Sequence, residues 1–167
     1  ILRSYDPEGS TRYVDFDTTR PTYKTRDDKC HVSHVVADTD SWEQKMAEVL
    51  EDMTEVVRYV KNHNLSFTIP YTLNGEEHQY HPDFIAVLRT PTPSQGEGRG
   101  EGELNLLIEV TGEKKKDKAA KASTARSLWV PAANNHGGFG RWAFLEIADP
   151  WDAKNAIRAT LKDLRRA

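Results

Sequence analysis

The sequence predicts an α/β sandwich, and three observations carry that prediction. Two apolar runs, Tyr80–Leu88 and Leu104–Gly112, have the Ile, Val, Leu and Phe content of core strands and turn-formers on either side. Upstream, apolar residues recur at helical spacing. Downstream, a second helix, a strand and a closing helix follow in succession. The order is helix, three strands, helix, strand, helix, behind a small β-rich lead-in.

The 167 residues suit one domain with a real core, divided into a lead-in (1–38) and a main domain (39–167). A hydrophobic content of 37% with 29% charged residues fits a soluble globular chain. No apolar run reaches bilayer-spanning length and no signal-peptide pattern opens the chain, so no membrane partner is expected. The single cysteine, Cys30, rules out an internal disulfide framework and fits a cytoplasmic setting. A net charge of −3 is unusual for a chain that grips nucleic acid unaided, because phosphate contacts dominate non-specific affinity. Either the basic groups are local or another part of a larger protein does most of the holding. The first residue, Ile1, points to a fragment.

In the lead-in, Asp6–Gly9 reads as a turn, and Arg12–Phe16 and His34–Ala37 as strands. Cys30, His31 and His34 invite a zinc site, but no second Cys/His pair supplies the remaining ligands of a structural one. A helix is expected from about Ser41 to Asn62, with Trp42, Met46, Val49, Leu50, Met53, Val57 and Val60 as its apolar stripe. Asp40 is its expected N-cap, with Glu43 completing a capping box. Phe67–Tyr71 reads as the first core strand, and Asn74–Gly75 as a hairpin turn into the Tyr80–Leu88 strand. Thr90–Gly102 is too rich in Pro and Gly to pack and is expected as a mobile hairpin loop. A second helix should run from about Lys116 to Trp129. Gly137–Gly140 lacks the Lys-Ser/Thr ending of a phosphate loop and reads as a turn. Trp142–Ile147 is the last core strand. Asp149 then caps a helix with Pro150 in its first turn and Ala156, Ile157, Leu161 and Leu164 facing inward.

Each of the two apolar runs hides one carboxylate, Asp83 and Glu109. A lone ionised carboxylate removed from water costs several kcal/mol unless something neutralises it. By strand alternation Asp83 shares a face with Ile85 and Val87, and Glu109 with Leu107 and Thr111. If the two strands pair, the carboxylates converge at one spot, as a hard divalent cation such as Mg²⁺ requires.

Pro82-Asp83 with Glu109-Val110-Thr111 resembles the PD-(D/E)XK nuclease motif. Leu128–Asn135 and Gly140–Ile147 are similar to the C-terminal endonuclease region of type III restriction enzyme Res subunits and related helicase-linked nucleases. The resemblance covers roughly the whole chain, best from Asp38 onward. It implies a restriction-endonuclease-like sandwich and a Mg²⁺- (or Mn²⁺-) dependent DNA endonuclease domain, the cleavage module of a restriction or phage-defence system. It implies Asp83, Glu109 and the Val110 main-chain carbonyl as metal ligands. Glu43 either matches the first-helix acid that family members direct to the metal or is a helix-start acid answering the macrodipole. Further implied partners are an ATP-dependent helicase region of the same polypeptide, since no Walker-type motif occurs here, and a methyltransferase/specificity subunit.

The sequence departs from the motif at Thr111, where the family usually has lysine. That lysine stabilises charge on the attacked phosphate or helps activate the water, and threonine carries no charge. On the following helix Lys114, Lys118 and Lys121 fall within the arc that holds Ala122, Ala125 and Trp129. Lys121 is the first choice for a relocated lysine and Lys118 the second; related enzymes carry a lysine at the place of Lys121. The alternative is a catalytically inactive nuclease-fold module for DNA binding or protein docking. Retention of both acids argues against it, since without a metal they repel each other.

Overall fold

The computed structural model describes residues 9–38, 41–90, 102–111 and 118–164. It is a mixed α/β structure. Among the described residues, a four-stranded sheet is accompanied by two separate two-stranded hairpins and three helical segments.

The central sheet has the order β3-β6-β7-β8, with β3 at Val56–Lys61, β6 at Phe84–Thr90, β7 at Gly102–Val110 and β8 at Arg141–Ile147. The first three strands are antiparallel neighbours and β8 runs parallel to β7. The β6–β7 pairing continues to Thr90 opposite Gly102, so a hairpin joins them; the tip of the expected loop lies outside the described residues.

Both faces of the sheet are buried, which explains why these strands read as nearly continuous apolar runs. One face packs Phe84, Ala86, Leu88, Leu104, Leu106, Ile108 and Ile147 against two helices, α1 (Trp42–Asp52) and a C-terminal helix (Ala153–Asp163). Ile157 and Leu161 of the latter are buried and Ala156 and Leu164 pack at its margin, as the periodicity predicts. Asp149 does cap, but it caps a 3₁₀ turn, Pro150–Asp152, that leads into this helix. The opposite face packs Leu107 and Phe144 against Ala122 and Ala125 of a long helical run and against Ile69, Tyr71 and Tyr80 of a hairpin. No helix among the described residues is long and apolar enough to cross a membrane.

Between Ser41 and Leu88 the expectations are corrected at four points. The first helix ends at Asp52 instead of Asn62: Met53 is already extended, and Val56–Lys61 forms edge strand β3. The stripe through Val57 and Val60 fits helical spacing by coincidence, because the β-branched residues of Val-Val-Arg-Tyr-Val favour the pleated surface. The N-cap is Ser41, whose hydroxyl accepts from the Gln44 N–H at 3.2 Å; Asp40 lies outside the described residues. Phe67–Tyr71 is not a core strand. Instead β4 (Ile69–Leu73) pairs only with β5 (Glu76–Tyr80), across an Asn74–Gly75 turn in which both residues have positive φ. The Tyr80–Leu88 run is therefore broken: Tyr80 closes β5, buried Pro82 redirects the chain, and Phe84 opens β6.

In the lead-in, Arg12–Phe16 is not a strand; Ser10 caps a 3₁₀ turn at Thr11–Tyr13. His34–Val36 is a strand (β2), paired with β1 at Thr22–Lys24. The expected Asp6–Gly9 turn lies largely outside the described residues. The lead-in is not an independent unit, because Cys30, Val35 and Ala37 belong to the main core.

The second helix is longer than expected. It runs as α2 (Lys118–Thr124), a π-turn (Ala125–Trp129) and α3 (Val130–His136). Pro131 cannot donate to the turn before it, and the wider π-turn, where Val130 N–H reaches back to the Ala125 carbonyl, lets the helix continue into it. Gly137, at φ 73°, ends the helix in the left-handed region, so Gly137–Gly140 is the turn the sequence predicts.

Glu51 holds the lead-in to α1. It is 4% exposed and accepts from the Tyr23 hydroxyl (2.8 Å), the Tyr59 hydroxyl (2.9 Å) and the Arg26 main-chain N–H (2.8 Å). Replacement Glu51→Ala strands three donors and is expected to cost about 3 kcal/mol, against about 1 kcal/mol for Tyr59→Phe, in urea unfolding. Burial and then the Glu51 contact push the Tyr23 phenol from 10.0 up to about 12. The folded state thus favours the protonated phenol, a contribution complete below pH 10 and lost as pH rises towards 12. Melting temperature should fall over that window, and Tyr23→Phe should flatten part of the fall.

Candidate functional site

The β6–β7 register sets the site. Phe84 lies opposite Ile108, so Asp83 and Glu109 are neighbours at the same end of the sheet. Asp83 Oδ2 accepts a hydrogen bond from the Val110 main-chain N–H at 2.7 Å. Glu109 Oε2 accepts one from the Tyr80 hydroxyl at 2.8 Å. Both carboxylates are half-buried, on the face covered by the β4–β5 hairpin and the long helical run. The strand pairing on which the expected convergence depends is present, and it puts both acids at this end of the sheet.

A third acid stands beside them. Glu146 of β8 is the register partner of Glu109 in the parallel pair and therefore shares its face. Its Oε2 accepts from Arg126 Nη2 at 3.1 Å, and the Arg126 guanidinium sits 5.6 Å from the Phe144 ring centroid. Burial first, then Glu109, with Asp83 and Glu146 behind it, drives the Tyr80 phenol far above its ordinary range. Tyr80 therefore stays a protonated donor at any physiological pH.

Lys121 sits on α2 beside buried Ala122, with its ammonium 5.9 Å from the centroid of the Tyr71 ring. Ala122 and Ala125 face the sheet, as the helical arc predicts. Lys118 opens α2 but its side chain lies outside the described residues, as does Lys114. Thr111 donates both its N–H (2.9 Å) and its hydroxyl (3.3 Å) to the Ile147 carbonyl, so the position the motif gives to lysine joins β7 to β8 here.

Glu43 is on α1, which packs on the opposite face of the sheet, and its Oε2 pairs with Lys61 Nζ at 2.5 Å. Lys61 in turn lies opposite Phe84, the residue after Asp83. The capping box expected between Asp40 and Glu43 lies outside the described residues, because Asp40 does. In the lead-in, Cys30 is in the core, where burial raises its thiol pKa, while His31 is exposed against Thr11 and His34 against Ser33.

Among the described residues, no group of three or more His, Cys, Asp and Glu side chains is placed to hold a metal. Asp83, Glu109 and the Val110 carbonyl offer instead two carboxylates and one main-chain oxygen. That all-oxygen set fits Mg²⁺ or Mn²⁺, which keep several waters and take one or two carboxylates, and it lacks the Cys and His ligands that are typical of zinc sites.

Sequence reasoning missed Tyr80, Glu146 and Arg126. Strand alternation through an unbroken Tyr80–Leu88 run puts Tyr80 on the face away from Asp83; the break at Pro82 is what brings them together. Glu146 carried the same signal as the other two, an acid inside an apolar run. No protein-family model, curated protein or solved structure matches this chain.

The Asp83–Val110 bond yields a stability test. Asp83→Ala removes the acceptor and is expected to cost ~1–2 kcal/mol. In Asp83→Asn the amide oxygen still accepts from Val110 N–H, so urea unfolding should place that variant close to the parent.

Proposed function

We propose that this chain is a divalent-metal-dependent endodeoxyribonuclease domain with a restriction-endonuclease-like sandwich. The observation that carries the reading is the meeting of Asp83 and Glu109 at one end of the β6–β7 pair, on a face roofed by a lysine-bearing helix. Asp83 and Glu109, with the Val110 carbonyl, would hold Mg²⁺ or Mn²⁺. A cation bound there would lower the pKa of a water molecule and offset phosphate charge.

The chain's own residues supply the rest. Tyr80 and the Val110 N–H each occupy one oxygen of a carboxylate, which fixes how the two groups point. Lys121 brings a positive charge over the same hairpin that supports Glu109 and is our choice to stabilise charge developing on phosphorus, with Lys118 second. In the reaction, water adds to phosphorus, the bond to the 3′ oxygen breaks, the 3′ hydroxyl leaves with a proton, and a 5′-phosphate end remains. DNA is the substrate we assign, and a helicase region and a methyltransferase/specificity subunit are the partners a restriction-type role calls for.

Thr111 favours a second reading, a nuclease-fold module that binds DNA or a protein without cutting, because the position the motif gives to lysine is spent on the Ile147 carbonyl. Supercoiled DNA in Mg²⁺ or Mn²⁺, with EDTA controls, separates the two. Nicking should occur with metal, fall to the EDTA background in Asp83→Asn, and fall about a hundredfold in Lys121→Ala. Because Asp83→Asn keeps the Val110 bond, its loss would report the charge and not the fold. Wild-type protein that neither cuts DNA nor binds Mn²⁺ in calorimetry would sink the nuclease reading in favour of the module.

A further inference from the structure

We infer that Tyr80 is a positioning residue for the metal centre, and that the β4–β5 hairpin carries it there. The inference rests on the metal-site reading above. Tyr80 is 2% exposed and its hydroxyl donates to Glu109 Oε2 at 2.8 Å. Its ring packs edge-on against Phe144 of β8, with centroids 6.4 Å apart, so the phenol approaches Glu109 from a fixed direction. A carboxylate with one oxygen committed to a rigid donor cannot rotate freely, and it presents its other oxygen in one orientation. Donors of this kind behind metal-ligating groups are worth roughly 10–100-fold in affinity.

The hairpin is the reason the donor is rigid. Ile69, Tyr71 and Tyr80 are all buried in the same cluster as Leu107, Ala122 and Ala125. Tyr71 lies beneath Lys121 while Tyr80 holds Glu109. One two-stranded element therefore sets both the acid and the cation above it. The ring alone fills the space against Phe144, and phenylalanine would fill it as well, so what the hydroxyl adds is its bond to Glu109.

The test is Mn²⁺ calorimetry on wild type, Tyr80→Phe and Tyr59→Phe, with melting temperature recorded for each. Tyr59→Phe is the matched control. It also removes a buried phenol-to-carboxylate bond, to Glu51, but on the opposite face of the sheet. Tyr80→Phe should weaken Mn²⁺ binding about tenfold and Tyr59→Phe should leave it unchanged, whatever each does to melting. Equal affinity in Tyr80→Phe and wild type overturns the role of Tyr80 while leaving the metal site standing. Equal weakening by both variants also overturns it, by showing an effect of stability. No binding by wild type overturns the metal reading and this role together. If Tyr80→Phe does not fold, ¹³Cζ-tyrosine NMR of the wild type under Mg²⁺ titration reads the same bond. The Tyr80 resonance should move and that of Tyr59 should not; an unmoved Tyr80 overturns the inference.

Discussion

A carboxylate buried at the C-terminal end of a helix is doubly unfavourable, because it loses its water and it meets the negative end of the macrodipole. Glu51 is in that position, and the fold is arranged so that the cost is met. Two tyrosine hydroxyls, one from β1 and one from β3, and a main-chain N–H from the lead-in converge on it. Lys29, also from the lead-in, donates to the Met53 and Val56 carbonyls and so brings a cation to the same helix end. Without the lead-in, Glu51 at the end of α1 would lose the Tyr23 and Arg26 donors and keep the Tyr59 hydroxyl alone of the three. This is why a segment with little regular structure of its own is integral to the domain: it completes the helix on which one face of the sheet rests.

The site depends on that sheet staying in register. Asp83 is placed by the first residue pair of β6 with β7, and Glu109 and Glu146 by the parallel pair of β7 with β8. A one-residue slip would turn all of these side chains to the other face. The two buried faces make such a slip costly, since Leu106, Leu107 and Ile108 are each fully buried on alternating sides. A slip would drive Asp83, Glu109 and Glu146 into the apolar face that packs on α1, so the core that fixes the register also fixes the acidic centre.

How legible was this in the sequence? The central strands were, because double-sided burial writes a long apolar run and each hidden acid stands out within it. The arc of Ala122, Ala125 and Trp129 was legible too, since small residues beside an aromatic mark the side of a helix that approaches a sheet closely. The end of α1 was not. Val57 and Val60 continue the helical spacing of the stripe, and only the density of β-branched residues speaks for a strand. The hairpin was legible as a turn at Asn74–Gly75 but not as a separate element, because nothing local says that Pro82 redirects the chain. That redirection hid Tyr80, whose role depends on contacts distant in sequence.

The start of β8 has a consequence for how the molecule meets its neighbours. Both main-chain groups of Trp142 are engaged by one side chain, Asn134 at the end of α3, which accepts from its N–H at 2.7 Å and donates to its carbonyl at 3.0 Å. An amide has the same donor and acceptor as a peptide unit, so Asn134 acts there as a single residue of a missing strand. A boundary strand that offers unpaired peptide groups invites another chain to zip along it and seed aggregates. Here the point at which such zipping would begin is already closed, by a plug one residue long that adds no new strand to protect.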